Sequence, residues 1–232
     1  MFLPLYDGNP LKVIRHQFVT LGLIALNVLV FLYTKTLPED ALKAFNLSFG
    51  AIPAVLTDRA DLEASLQVIP ETATALTYMF LHGGWMHLIG NMLFLWVFAD
   101  NVEDSLGHVK FLLFYLACGV AALAAHTLFA PNSQLPLIGA SGAVSGVLAA
   151  YMVLFPRVQV LILLLMRLPL RISALWVLGG WFLWQLIASQ LSSGATAGGV
   201  AWWAHIGGFI AGLILILPFR RRLLARLAGG GR

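Results

Sequence analysis

A few polar side chains in an otherwise apolar chain could carry out acyl transfer. They are a serine at 141, histidines at 82, 87 and 205, and an asparagine at 91. Ser141 stands in "GASG", just where an apolar run begins. A serine hydroxyl is a weak nucleophile until a base takes its proton, and histidine is the usual base near neutral pH. His205, in "AWWAHIGGFIAG", supplies such a base. His87 and Asn91 are four residues apart, hence on one helical face, and carry N–H donors for a developing oxyanion. Backbone N–H groups at a helix start, where Ser141 sits, would add to them.

Rival chemistries lack their residues. There is no H-E-x-x-H zinc motif and no aspartate pair within an apolar segment; Asp100 stands alone near one end of its segment. The histidines have no carboxylate or thiolate close by in sequence to complete a metal site, so neither metal nor cofactor is expected. The apolar segments holding Ser141 and His205 contain no Asp or Glu, so the expected arrangement is a dyad, with packing orienting the imidazole.

These residues must be positioned by membrane helices. The 232 residues are 60% hydrophobic and 10% charged, against about 25% charged in an ordinary soluble domain. The expected fold is an all-α membrane protein, a single six-helix bundle whose spans cover about 17–34, 77–99, 110–130, 141–156, 172–191 and 200–219. Residues 1–16 form a cytoplasmic segment, 17–219 the core and 220–232 a basic cytoplasmic tail. Val158–Met166 would rise only ~13.5 Å as a helix, far short of a ~30 Å hydrocarbon core, and reads as an interfacial connector. With the N-terminus inside, only Lys35, Lys43 and Arg59 of the basic residues fall in outer segments. That asymmetry supports six spans with both termini cytoplasmic, and makes Arg220–Arg222 a headgroup anchor rather than a nucleic-acid site. Asp7, Lys12 and Arg15 interrupt the start, so no cleavable signal is expected. Cys118 is the lone cysteine and forms no internal disulfide. The long acidic loop at about 35–76 is expected to fold or lie on the membrane. Without an internal repeat, a transporter of inverted halves is disfavoured.

Spans two, four and six then run from outside to inside, which sets His82, His87, Asn91, Ser141 and His205 at similar depth near the outer face. Gly142-x-x-x-Gly146 and Gly208-x-x-x-Gly212 are patterns that let helix backbones approach closely in lipid. Packing those faces together brings His205 toward Ser141. Span four is short, so "APNSQLPLIGA" before it must dip below the surface under a covering of protein or water. Ser145, deeper on the same helix, reads as packing.

These motifs resemble a family. "GASGAVSG" is similar to the nucleophile motif of rhomboid intramembrane serine proteases, and "AHIGGFIAG" resembles their base motif. "HGGWMHLIGNM" resembles the family's His, His and Asn signature in the second span, and "EDSLG" the segment that follows that span. The resemblance covers about residues 77–220. It implies Ser141 as nucleophile and His205 as base, with His87, Asn91 and the amides of Ser141 and Gly139 as oxyanion donors and His82 in support. It further implies a multi-pass protein of the bacterial inner membrane that cuts single-pass membrane proteins near the outer ends of their spans. The chain lacks the Trp-Arg pair that some relatives carry in the first outer loop. A catalytically silent, client-binding rhomboid-like protein and a small histidine-dependent transporter are the alternatives. Nothing in the sequence fixes the oligomeric state.

Overall fold

The computed structural model describes residues 2–164, 167–191 and 201–229. The end of the Val158–Met166 connector, the first residue of the expected sixth span and the end of the basic tail lie outside the described residues.

Strand β1 (Phe2–Tyr6) leads to helix α1 (Phe18–Thr34). The loop that follows is folded, as its length suggested. It contains α2 (Glu39–Phe49) and two single turns, α3 (Pro53–Leu56) and α4 (Thr74–Thr77). Next come α5 (Trp85–Leu106), α6 (His108–Phe129) and α7 (Ser141–Leu154). A hairpin of β2 (Gln159–Leu164) and β3 (Leu168–Ser173) connects α7 to α8 (Ala174–Leu191). Helix α9 (Trp202–Ile216) continues through a tight turn into α10 (Arg220–Gly229). Among the described residues, three helical stretches are long and apolar enough to cross a membrane: His108–Phe129, Ala174–Leu191 and Trp202–Gly229. Phe18–Thr34 and Ser141–Leu154 are equally apolar in kind but shorter.

Two expectations need correction. The fold is not wholly helical, because the expected connector is the central strand of a three-stranded antiparallel sheet in the order β1-β2-β3. Its two prolines fall on the outer strands, Pro4 in β1 and Pro169 in β3, where a missing N–H need not cost a ladder bond. The second concerns the helix expected over 77–99, which starts at Trp85 and runs on to Leu106. Gly83 and Gly84 break the apolar run, and Gly84 is fully extended at φ −178°, so His82 stands on the segment before the helix.

Helix α7 is the centre of the bundle. From Gly142 to Tyr151 every residue is buried, enclosed by α5, α6, α8 and α9. Its contact with α9 is made backbone to backbone. A Cβ added to Gly208 would collide with the carbonyl of Gly142, and one added to Gly212 would collide with the backbone of Gly146. Glycines permit this approach because nothing projects from their Cα, and in lipid such close packing takes over from the hydrophobic effect.

At the other end of α5, two buried carboxylates hold the start of the chain. Helix α1 has no side-chain cap of its own. Glu103 supplies one from α5, accepting the amides of Val19 and Thr20 at 3.0 and 2.8 Å and the Thr20 hydroxyl at 2.6 Å. Asp104 accepts three successive amides, those of Lys12, Val13 and Ile14, at 2.7–2.8 Å. Asn9 and Asn101 are joined by two further bonds of 2.9 Å. Beside them the Tyr151 hydroxyl donates to Asp7 at 2.5 Å, and burial pushes the Asp7 carboxyl above its ordinary 3.8.

The glycine contact predicts an asymmetry between substitutions of the same kind. Gly208→Ala should destabilise the bundle by about 3 kcal/mol, the upper end for overpacking, since the obstacle is backbone that no rotamer change can move. Gly22→Ala, where an added Cβ meets nothing within 4 Å, should change stability by less than ~1 kcal/mol. Thermal unfolding in detergent micelles measures both.

Candidate active site

The α7–α9 contact decides what meets at the N-terminal ends of the two helices. Ser141 is the first residue of α7, and His205 lies in the first turn of α9. His205 Nε2 stands 2.8 Å from Ser141 Oγ. Both residues are half-buried. The amides of the first turn of α7 have no acceptor within that helix and so point outward around Ser141. Ser145, one turn on, donates its hydroxyl to the Ser141 carbonyl at 2.6 Å and is fully buried, which is a packing role.

A cavity of about 200 Å3 opens beside Ser141, lined by His87, Asn91 and Phe94 of α5, Val144 of α7 and Trp181 of α8, among others. His87 and Asn91 therefore face Ser141 across one small space. The side-chain nitrogen of Asn91 donates to the His87 carbonyl at 3.1 Å, a partner that can only accept, which fixes the orientation of the amide. The same nitrogen lies 3.1 Å from His82 Nε2. His82 is buried, with its ring 4.9 Å from that of His87, edge to face. Its contact is thus with the two α5 residues rather than with Ser141.

Gly139 departs from its expected part. Its amide already donates to the Tyr78 carbonyl at 2.9 Å, so it is not a free oxyanion donor. What the position supplies is shape. Gly139 has φ +125°, a conformation that side chains rarely adopt, and a Cβ there would lie 2.6 Å from His87 Nε2. The loop can pass under the imidazole only because residue 139 has no side chain. The segment before it is held by the loop between α1 and α5, since Ala51 and Leu137 exchange two backbone bonds of 3.1 and 2.8 Å.

The sequence reading missed two residues. Gln185 of α8 is 4% exposed, and its Oε1 lies 2.8 Å from His205 Nδ1. Trp181, one turn earlier, has its ring 6.0 Å from that of His205 and walls the cavity. The available signal was a glutamine in the middle of an apolar span, since polar groups are costly there and tend to be functional.

Among the described residues no cluster of three or more His, Cys, Asp or Glu could hold a metal ion. The site consists of a hydroxyl, an imidazole in contact with it, and N–H donors around a shared cavity.

The sequence profile of the Rhomboid domain matches residues 70–222. The chain belongs to the rhomboid family. Rhomboid protease GluP of Bacillus subtilis (strain 168) is 31% identical over 206 residues, covering 87% of this rhomboid and 36% of the relative. Rhomboid-like protein 11, chloroplastic, of Arabidopsis thaliana is 31% identical over 150 residues, 60% of this chain and 50% of its own. Rhomboid protein 1, mitochondrial, of Saccharomyces cerevisiae is 30% identical over 139 residues, 58% and 38% respectively. This rhomboid thus spans half or less of the length of those three relatives.

Gly139→Ala should destabilise this rhomboid by about 1–3 kcal/mol, the scale for a side chain forced into a disfavoured backbone region. Gly84→Ala, extended and with nothing within 4 Å of an added Cβ, should leave stability within ~1 kcal/mol. Paired unfolding curves of the two variants check this.

Proposed function

We propose that this rhomboid is an intramembrane serine endopeptidase that hydrolyses membrane-protein substrates through Ser141 and His205. The observation that carries the reading is the 2.8 Å approach of His205 Nε2 to Ser141 Oγ beside a cavity that His87 and Asn91 also line. His205 takes the proton as Oγ attacks the scissile carbonyl, then gives it to the leaving amine. Water, activated by the same imidazole, releases the acyl group. The oxyanion is received by the Ser141 amide together with His87 and Asn91. His82, whose Nε2 lies 3.1 Å from the Asn91 amide nitrogen, is the supporting hydrogen-bond partner.

The proposed setting is a bacterial inner membrane crossed six times by α1, α5, α6, α7, α8 and α9, with both termini cytoplasmic. The positive-inside asymmetry supports that orientation. Ser141 then lies below the outer leaflet, and the substrates are single-pass proteins cut near the outer ends of their spans. Helix-breaking sequences are favoured, because a peptide bond inside a helix is shielded by its own backbone bonding.

Purified wild type should label with a fluorophosphonate, and Ser141→Ala and His205→Ala should not; equal labelling of all three would remove the mechanism. His87→Ala and Asn91→Ala should fold yet lose about 10- to 1000-fold in labelling rate, the scale for one oxyanion donor. Unchanged rates in both would show that the oxyanion is held elsewhere.

A further inference from the structure

We infer that Gln185 is the positioning residue of the base, a neutral third member that holds the His205 imidazole in the tautomer able to accept the Ser141 proton. The inference rests on the Ser141–His205 reading above. Gln185 Oε1 has no hydrogen, so the 2.8 Å approach of His205 Nδ1 to it requires the hydrogen on Nδ1. In a neutral imidazole that leaves the lone pair on Nε2, the atom 2.8 Å from Ser141 Oγ. Without an acceptor at Nδ1 the ring is free to carry its proton on Nε2, where it cannot serve as base, or to turn away from Ser141. The two contacts lie on opposite sides of one ring, so Gln185, His205 and Ser141 form a continuous line from α8 through α9 to α7.

An amide suits this place better than a carboxylate. Helix α8 carries no Asp, Glu, Lys or Arg, and Gln185 is buried. A carboxylate there would have to be desolvated within the apolar bundle, which disfavours its charged form. A carboxamide presents the same acceptor oxygen with no net charge. Its lesser power to stabilise an imidazolium is the counterpart. The titratable groups that act on His205 from neighbouring helices are His87 on α5 and His126 on α6. Neither is in hydrogen-bond contact with Nδ1.

The test uses the full chain in detergent micelles and a fluorophosphonate as probe, following the maximal labelling rate, the probe concentration at half-maximal rate, and the pH profile. Gln185→Leu fills the space but removes the acceptor, and should lower the maximal rate about 10- to 100-fold with half-saturation within about twofold. Gln185→Met is read the same way should the leucine variant not fold. Gln185→Glu keeps an acceptor and adds charge, and should move the acidic limb of the profile to higher pH, since an anion beside the ring favours the imidazolium. The shift should persist in a His126→Gln background, so that the limb is not that of His126. A maximal rate within twofold of wild type in the apolar variant, or an acidic limb left in place by Gln185→Glu, overturns the inference and leaves Gln185 a packing residue. Failure of the dyad itself reads differently, as wild type that does not label or labels equally as Ser141→Ala.

Discussion

The distance between α7 and α9 is the constraint on which the rest depends. Two helices with ordinary side chains at the contact lie roughly 8–10 Å apart. Here the missing side chains of Gly208 and Gly212 let α9 lie against the backbone of Gly142 and Gly146, and the Ser141 and His205 side chains then reach each other. Lipid offers no hydrophobic force to press helices together, so the gain must come from close packing itself.

Much of that arrangement was legible in the sequence because it depends on matched depth and on residue size, both of which can be counted along a chain. Ser141, His205, His87 and Asn91 were found by placing them at one level, and the paired glycines indicated which helices touch. What escaped notice depends on contacts that spacing cannot reveal. Gln185 is a polar residue inside an apolar span and gains meaning only when α8 lies against α9. The amide of Gly139 was assigned as a donor because the acceptor that already holds it, the Tyr78 carbonyl, belongs to a distant segment. Val158–Met166 was read as too short to span, which fits the strand found there, yet a short apolar run alone does not separate strand from helix. The start of α5 was misjudged by eight residues' worth of apolar sequence, from 77 to 84, that two glycines detach from the helix.

Charge is managed at the opposite pole from the chemistry. Glu103 and Asp104 are buried almost completely, but each spends its lone pairs on main-chain amides, and Glu103 also meets the His108 ring at 2.5 Å. A buried carboxylate satisfied by several donors is tolerable where an unpaired one is not. The "EDSLG" stretch thus has a physical task. It supplies the cap that α1 lacks and fastens a polar segment to the end of an apolar bundle. Helices α7, α8 and α9, by contrast, carry no Asp, Glu, Lys or Arg, so a proton moved between hydroxyl and imidazole has no charged side chain on these helices beside it.

The opening strand has an implication for the order in which the molecule is assembled. Residues 2–6 are made well before their partner in the sheet, residues 159–164, and α1, α5, α6 and α7 are all synthesised in between. Until that strand is made, β1 has no partner in the sheet. Closing the sheet is accordingly a late event, a latch thrown only after the central helix has been made.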